Sequence, residues 1–146
     1  YTPQRMEKRY KLGIIPHVID WDYDVMQKIR KERNDILVID LAHYDKWTDV
    51  IDQICSCEAI ASSSLHGLIV SDAYNVPNCW ITLSGKISGG QFKYFDYFSS
   101  VGREEAGPVK VERMSDLQTI ENKMVSWKPI TIDTDQILNS CPFYKA

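Results

Sequence analysis

The run "IASSSLHGLIVSDAY" (60–74) sets three consecutive serines and a histidine between a short apolar segment and a helix-like one. Ser62, Ser63 and Ser64 stand where the first N–H groups of a helix lack intrahelical partners. One serine there caps the helix. Three small hydroxyl residues also leave room for an anion to reach those N–H groups and the positive end of the helix dipole. His66 follows Leu65, which turns it by about 100° from the apolar stripe of Leu65, Leu68 and Ile69. Its imidazole can then face a cleft and pass protons near neutral pH. Gly67 permits close approach of backbone or ligand.

Other candidates sit at comparable places. His17 in "PHVID" (16–20) and His43 in "AHYD" (42–45) each follow a strand-like run, as His66 does. All three histidines of the chain are therefore expected on one rim. Lys86, Lys93 and Arg103 could bring positive charge to an anionic ligand. Asp20, Asp22 and Asp24 are spaced like the start of a calcium loop, but the downstream glycine and glutamate are missing, and no metal site is expected. Cys55, Cys57, Cys79 and Cys141 match neither zinc-ligand pairs nor a C-x-x-C, and reduced thiols are expected.

These residues need a scaffold, and the alternation of elements supplies one. Strands are expected at 11–16, 36–41, 58–62, 79–84 and 108–112, with Pro16 ending the first. Helices are expected at 22–33, 45–55, 64–74, about 115–127 and 133–139. Asp24 with Gln27 and Ser115 with Gln118 have capping-box spacing, and Asp133 suits a helix cap. Trp47, Val50, Ile51 and Ile54 recur at helical spacing as a core stripe. Strand and helix in alternation predict an α/β fold: a Rossmann-like open parallel sheet with helices on both faces. Ligands of such sheets bind beyond the carboxyl ends of the strands. The long stretch 84–107 opens with "SGKISGG", a mobile loop by composition, and its "FKYFDYF" is expected to pack as a short helix.

Composition narrows the class. With 146 residues, 44% hydrophobic and 25% charged, the chain suits one globular domain. A net charge of −3 gives no footprint for nucleic acid. No apolar run reaches membrane-span length and no signal peptide opens the sequence, so a cytoplasmic location is expected, with peripheral attachment at the inner face of the membrane left open. The chain begins with Tyr1 and a polar, basic lead-in, which reads as a truncation or as the later part of a longer protein.

The blocks "KLGIIPHVID", "IASSSLHGLIVSDAYNVPNCW" and "FKYFDYFSSVGR" follow one another as in the carboxy-terminal half of polysaccharide pyruvyl transferases, which this chain resembles over residues 10–103. The resemblance implies transfer of a pyruvate ketal from phosphoenolpyruvate to a sugar of an exopolysaccharide or other cell-surface polysaccharide. It implies two Rossmann-like halves facing across a cleft, similar to the glycosyltransferase B architecture. Residues 1–146 would be the donor-binding half, with an N-terminal domain as its partner and a saccharide acceptor, lipid-linked or free. No cofactor beyond the donor is implied. His66 matches the family's motif histidine and takes the role of acid/base catalyst. Ser62, Ser63, Ser64, Leu65, Gly67 and His17 would bind substrate. Many relatives carry Arg-Leu-His where this chain has Ser64-Leu65-His66, so the donor's cation would be Lys93 or Arg103 instead.

Two other functions compete. A nucleotide-sugar glycosyltransferase of the same architecture would use the same helix end and needs an acid for the ribose, for which Glu58 or Asp72 can be offered, though neither is well placed on the expected rim. A ligand-binding module without catalysis is the other.

Overall fold

A computed structural model describes residues 1–3, 7–87 and 89–143; Ser88, inside the glycine-rich stretch, lies outside them. Side-chain alternation along each short apolar run decides which helix covers which face. The strands are β1 (Leu12–Ile15), β2 (Ile36–Val38), β3 (Ile60–Ser62), β4 (Asn78–Thr82) and β5 (Val109–Lys110), all parallel, in the spatial order β2-β1-β3-β4-β5. Leu12, Ile14, Ala61, Cys79 and Ile81 point to one face, where α1 (Asp24–Glu32) contributes Val25, Met26 and Ile29 and α5 (Leu117–Met124) contributes Leu117 and Ile120. On the other face Ile15 and Ile60 meet Val50 and Ile54 of α2 (Trp47–Cys55). Beside them Trp80 packs with Leu68 of α3 (Leu65–Ala73) and with Tyr94 and Phe98 of α4 (Phe92–Ser100). The expected α/β sheet with helices on both faces is present, and "FKYFDYF" does form a helix.

The elements are shorter than expected, for local reasons. Pro16 has no N–H to continue the β1 ladder, and the ladder of β2 stops at Val38 although Ile39 still donates to Ile14 O at 2.9 Å. Neither expected capping box forms. Tyr23 occupies the first cap, and Gln27 donates to Asp22 instead at 3.1 Å. Ahead of α5 the chain makes a 3₁₀ turn, Met114–Asp116, and the Asp116 carboxylate accepts the N–H groups of Glu112 and Arg113 at 2.8 and 2.9 Å. Asp133 does cap α6 (Thr134–Ser140), accepting from Gln136 N at 2.9 Å. That last helix is exposed along its length. Among the described residues no helix is long and apolar enough to cross a membrane.

Two apolar stripes also need correction. Trp47 is 59% exposed, so the core face of α2 begins at Val50. Ile69 is 38% exposed, and the buried positions of α3 are Gly67, Leu68, Ser71 and Asp72. The reason is closeness: α3 lies so near β1 and β3 that small residues make the contact. Ser71 Oγ turns back to Gly67 O at 2.6 Å, satisfying itself within the helix.

Gly67 is the tightest point of that approach. A Cβ there would overlap Ser62 Oγ and come within 3.0 Å of Ile15 Cδ1. Gly67→Ala should therefore destabilise the fold by about 1–3 kcal/mol, the usual cost of overpacking. Urea unfolding of the two proteins measures it.

Candidate functional site

The chain leaves β1, crosses by α1 to β2 at the edge, and returns on the opposite face to β3 on the other side of β1. The carboxyl ends of β1 and β3 thus diverge at the switch point where open α/β sheets hold ligands. Ser63 N donates to Ile15 O at 3.0 Å as the last rung. Beyond it side chains take over. Ser63 Oγ accepts the N–H of His17 at 2.8 Å, and Ser62 Oγ lies 3.2 Å from Ile15 O and 2.8 Å from Ser64 O while accepting Ser64 N–H at 3.0 Å. Tyr94 on α4 donates its hydroxyl to Ser63 O at 2.7 Å and stacks on Trp80 with centroids 4.5 Å apart. Ser62 and Ser63 are both fully buried.

The three serines therefore divide. Ser62 and Ser63 build the crossing, and Ser64 is the cap residue of α3 yet gives no side-chain bond to its N–H groups. Those first N–H groups are left facing the end of the helix. Ser64, His66 and His17 line one open cavity of about 450 Å³ together with Val18, Tyr44 and Trp47. His66 is exposed there and His17 is half-buried, its Nδ1 accepting from Ile19 N at 3.4 Å.

The remaining sequence-predicted residues go elsewhere. Leu65 packs beside Leu68 and Trp80, one step round the helix from His66, so it faces the core rather than a ligand. Gly67 is buried and serves the contact between helix and sheet. Lys93 is half-buried, its ammonium 5.4 Å from the centroid of the Tyr94 ring. His43 is exposed and pairs with Asp40 at 3.0 Å, away from the cavity. Lys86 is exposed on the glycine-rich loop.

Arg103 is corrected most sharply. It donates to Asn78 Oδ1 at 2.6 Å and Asn78 O at 3.1 Å, and Asn78 is the first residue of β4. It also lies 3.4 Å from a carboxylate oxygen of Asp72 and of Glu105, with its side chain 12% exposed. This is the amino end of the sheet, opposite the rim. Glu105 is shared with Lys123, and Tyr97 donates to Asp72 at 2.9 Å. Burial, then the Asp72 charge, push the Tyr97 phenol far up. Arg103 therefore closes a buried charge network and is not a donor ligand. The same placement removes Asp72, and Glu58 just before β3, as partners for a ribose.

Asp20, at the end of "PHVID", also stands at the rim. It is 1% exposed, accepts the hydroxyl of Ser84, and leaves Oδ2 buried without a partner among the described residues. Burial and then its charge push the Tyr94 phenol up to about 12. An acid after one strand and a serine after another thus fall on one rim. Burial lifts the Cys57 thiol to about 12 and the Cys79 thiol to about 11, so neither buried thiol is a nucleophile. Among the described residues no cluster of three metal-ligating side chains forms.

A family model described as polysaccharide pyruvyl transferase matches residues 3–85, which include the whole β1–β3 crossing and the cavity walls named above. Uncharacterized protein L143 of Acanthamoeba polyphaga mimivirus is 31% identical over 137 residues, covering 92% of this chain and 47% of the relative. The chain thus spans about half the length of that relative. No solved structure matches the chain.

The placement of Arg103 has a measurable consequence. Arg103→Ala leaves the buried Asp72 carboxylate without its cation, which should cost about 3–5 kcal/mol. Urea unfolding should show that loss, whereas a residue acting only on a ligand would leave the midpoint unchanged.

Proposed function

Because the chain belongs to the polysaccharide pyruvyl transferase family, we propose that it is the donor-binding half of an enzyme that moves pyruvate from phosphoenolpyruvate onto a saccharide as a ketal. The observation that carries this reading is the convergence of Ser64, His66 and His17 on one cavity at the sheet's switch point. In this reading the donor's anionic groups meet the uncapped first turn of α3, where aligned N–H groups and the dipole favour negative charge. Arg103 is held in its charge network and Lys93 does not line the cavity, so in this reading the α3 N–H groups are the anion's main partners.

The chemistry follows from the substrate. C3 of the enol gains a proton, which makes C2 electrophilic. One sugar hydroxyl attacks C2 and loses its proton. The second hydroxyl then displaces the phosphate, whose C2–O bond breaks and which leaves with that hydroxyl's proton. The sum is one ketal and one inorganic phosphate, with no redox change. His66 can hold and return the proton, since an imidazole both accepts and donates one and this ring is exposed to the cavity. His17, held by the Ser63 hydroxyl through its backbone, helps form the donor wall. The nucleotide-sugar alternative has no acid at this rim in the places offered for it.

His66→Ala in the full-length enzyme should lower turnover by roughly 10²- to 10⁴-fold, the usual contribution of a positioned acid/base group. Its melting temperature should stay at the wild-type value, because the ring is outside the core. His66→Gln should restore phosphoenolpyruvate binding better than turnover. A variant that melts early but turns over normally per folded molecule would remove His66 from the mechanism.

A further inference from the structure

The cavity that holds His66 has two unlike walls. On the α3 side stand Ser64, His66 and His17, with hydroxyl and imidazole groups. Tyr44 and Trp47, which are 51% and 59% exposed, line the same cavity. Trp47 is the first residue of α2, and its helical spacing with Val50, Ile51 and Ile54 would normally bury it. Instead its indole stays at the rim, met by the Tyr1 ring edge-on with centroids 5.5 Å apart. Together the two rings leave an exposed aromatic patch beside polar groups, and a contiguous patch of that kind marks a binding surface.

A pyranose has the matching shape. Its C–H faces are apolar and suit an aromatic ring, and its edge carries hydroxyls that need polar partners. Small-molecule sites combine mostly apolar walls with a few placed polar groups in this way, and about 450 Å³ falls within their usual range. The proposed reaction adds a constraint, because the attacking hydroxyl must come within hydrogen-bond reach of His66. We infer that the Trp47 and Tyr44 side of this cavity is the acceptor subsite, next to the donor wall: a pyranose rests on the two rings and turns its reacting hydroxyls toward His66. The inference rests on the pyruvyl-transfer reading and adds to it the residues that select the sugar.

The test uses full-length enzyme and a panel of methyl hexopyranosides, read by saturation-transfer NMR, with phosphoenolpyruvate binding measured by calorimetry. The sugar C–H signals should be saturated by wild type, by Trp47→Phe and by Phe143→Ala, which removes an exposed ring on the distal carboxy-terminal segment. They should vanish with Trp47→Ala, whose phosphoenolpyruvate affinity and melting temperature should be unchanged. With an active acceptor, Trp47→Ala should raise its KM about tenfold and leave the KM for phosphoenolpyruvate alone. Equal glycoside signals in Trp47→Ala overturn the subsite. So does early melting of that variant, which would make Trp47 a packing surface for another part of the protein. If phosphoenolpyruvate binds wild type and no glycoside does, the subsite falls and the donor reading stands. Glycosides bound through Trp47 without any phosphoenolpyruvate binding would uphold the subsite and sink the donor reading.

Discussion

Where β1 and β3 run out, Pro16 offers no N–H and the ladder between the two central strands has no further rung. Ser62 and Ser63 carry the pairing on with their side chains, one hydroxyl against Ile15 O and the other accepting His17 N–H. Everything at the rim is positioned from that crossing. It sets where His17 leaves the sheet, holds the backbone that starts α3, and through Ser63 O fixes the Tyr94 hydroxyl of α4. An unmade hydrogen bond at this depth would cost about 1–3 kcal/mol per group, which is why the hydroxyls are fully committed.

Their commitment explains how a short polar run serves both stability and chemistry. The buried pair consumes its hydrogen-bonding capacity on structure, and only Ser64 and His66 remain at the surface of the cavity. Gly67 then lets α3 lie against Ser62 and Ile15. A bulkier residue would lift the first turn of α3 and carry His66 with it. Packing behind the site and geometry within it are thus one constraint.

The amino end of the sheet is organised by the opposite means. There Asp72, Arg103, Glu105 and Lys123 form a charged network closed by Asn78 and Tyr97. Removing such charges from water is expensive, and the pairs must satisfy one another. Their role is to join the end of α3, the start of β4 and the segment after α4. At the carboxyl end, by contrast, Ser64, His66 and His17 line an open cavity, as a binding surface requires.

Alternating apolar runs of strand length and helix length determined the α/β class and the number of strands, because period and length are local properties of the chain. The motif "SSSLHG" likewise marked the start of a helix, and the offset between Leu65 and His66 sent one inward and the other outward, as a 100° step must. Strand order was not local, and with it the switch point between β1 and β3 came only from the tertiary structure. The same holds for the division among three adjacent serines, since their partners Ile15 and His17 are more than forty residues away. Arg103 looked like a ligand cation because its charge is visible in sequence and its buried partners Asp72 and Asn78 are not. Trp47 looked like core because its spacing fits a stripe, but spacing specifies a face and leaves open where the first turn of α2 extends past the sheet. Contacts across the chain, and the exposure they leave behind, decided which residues share the cavity.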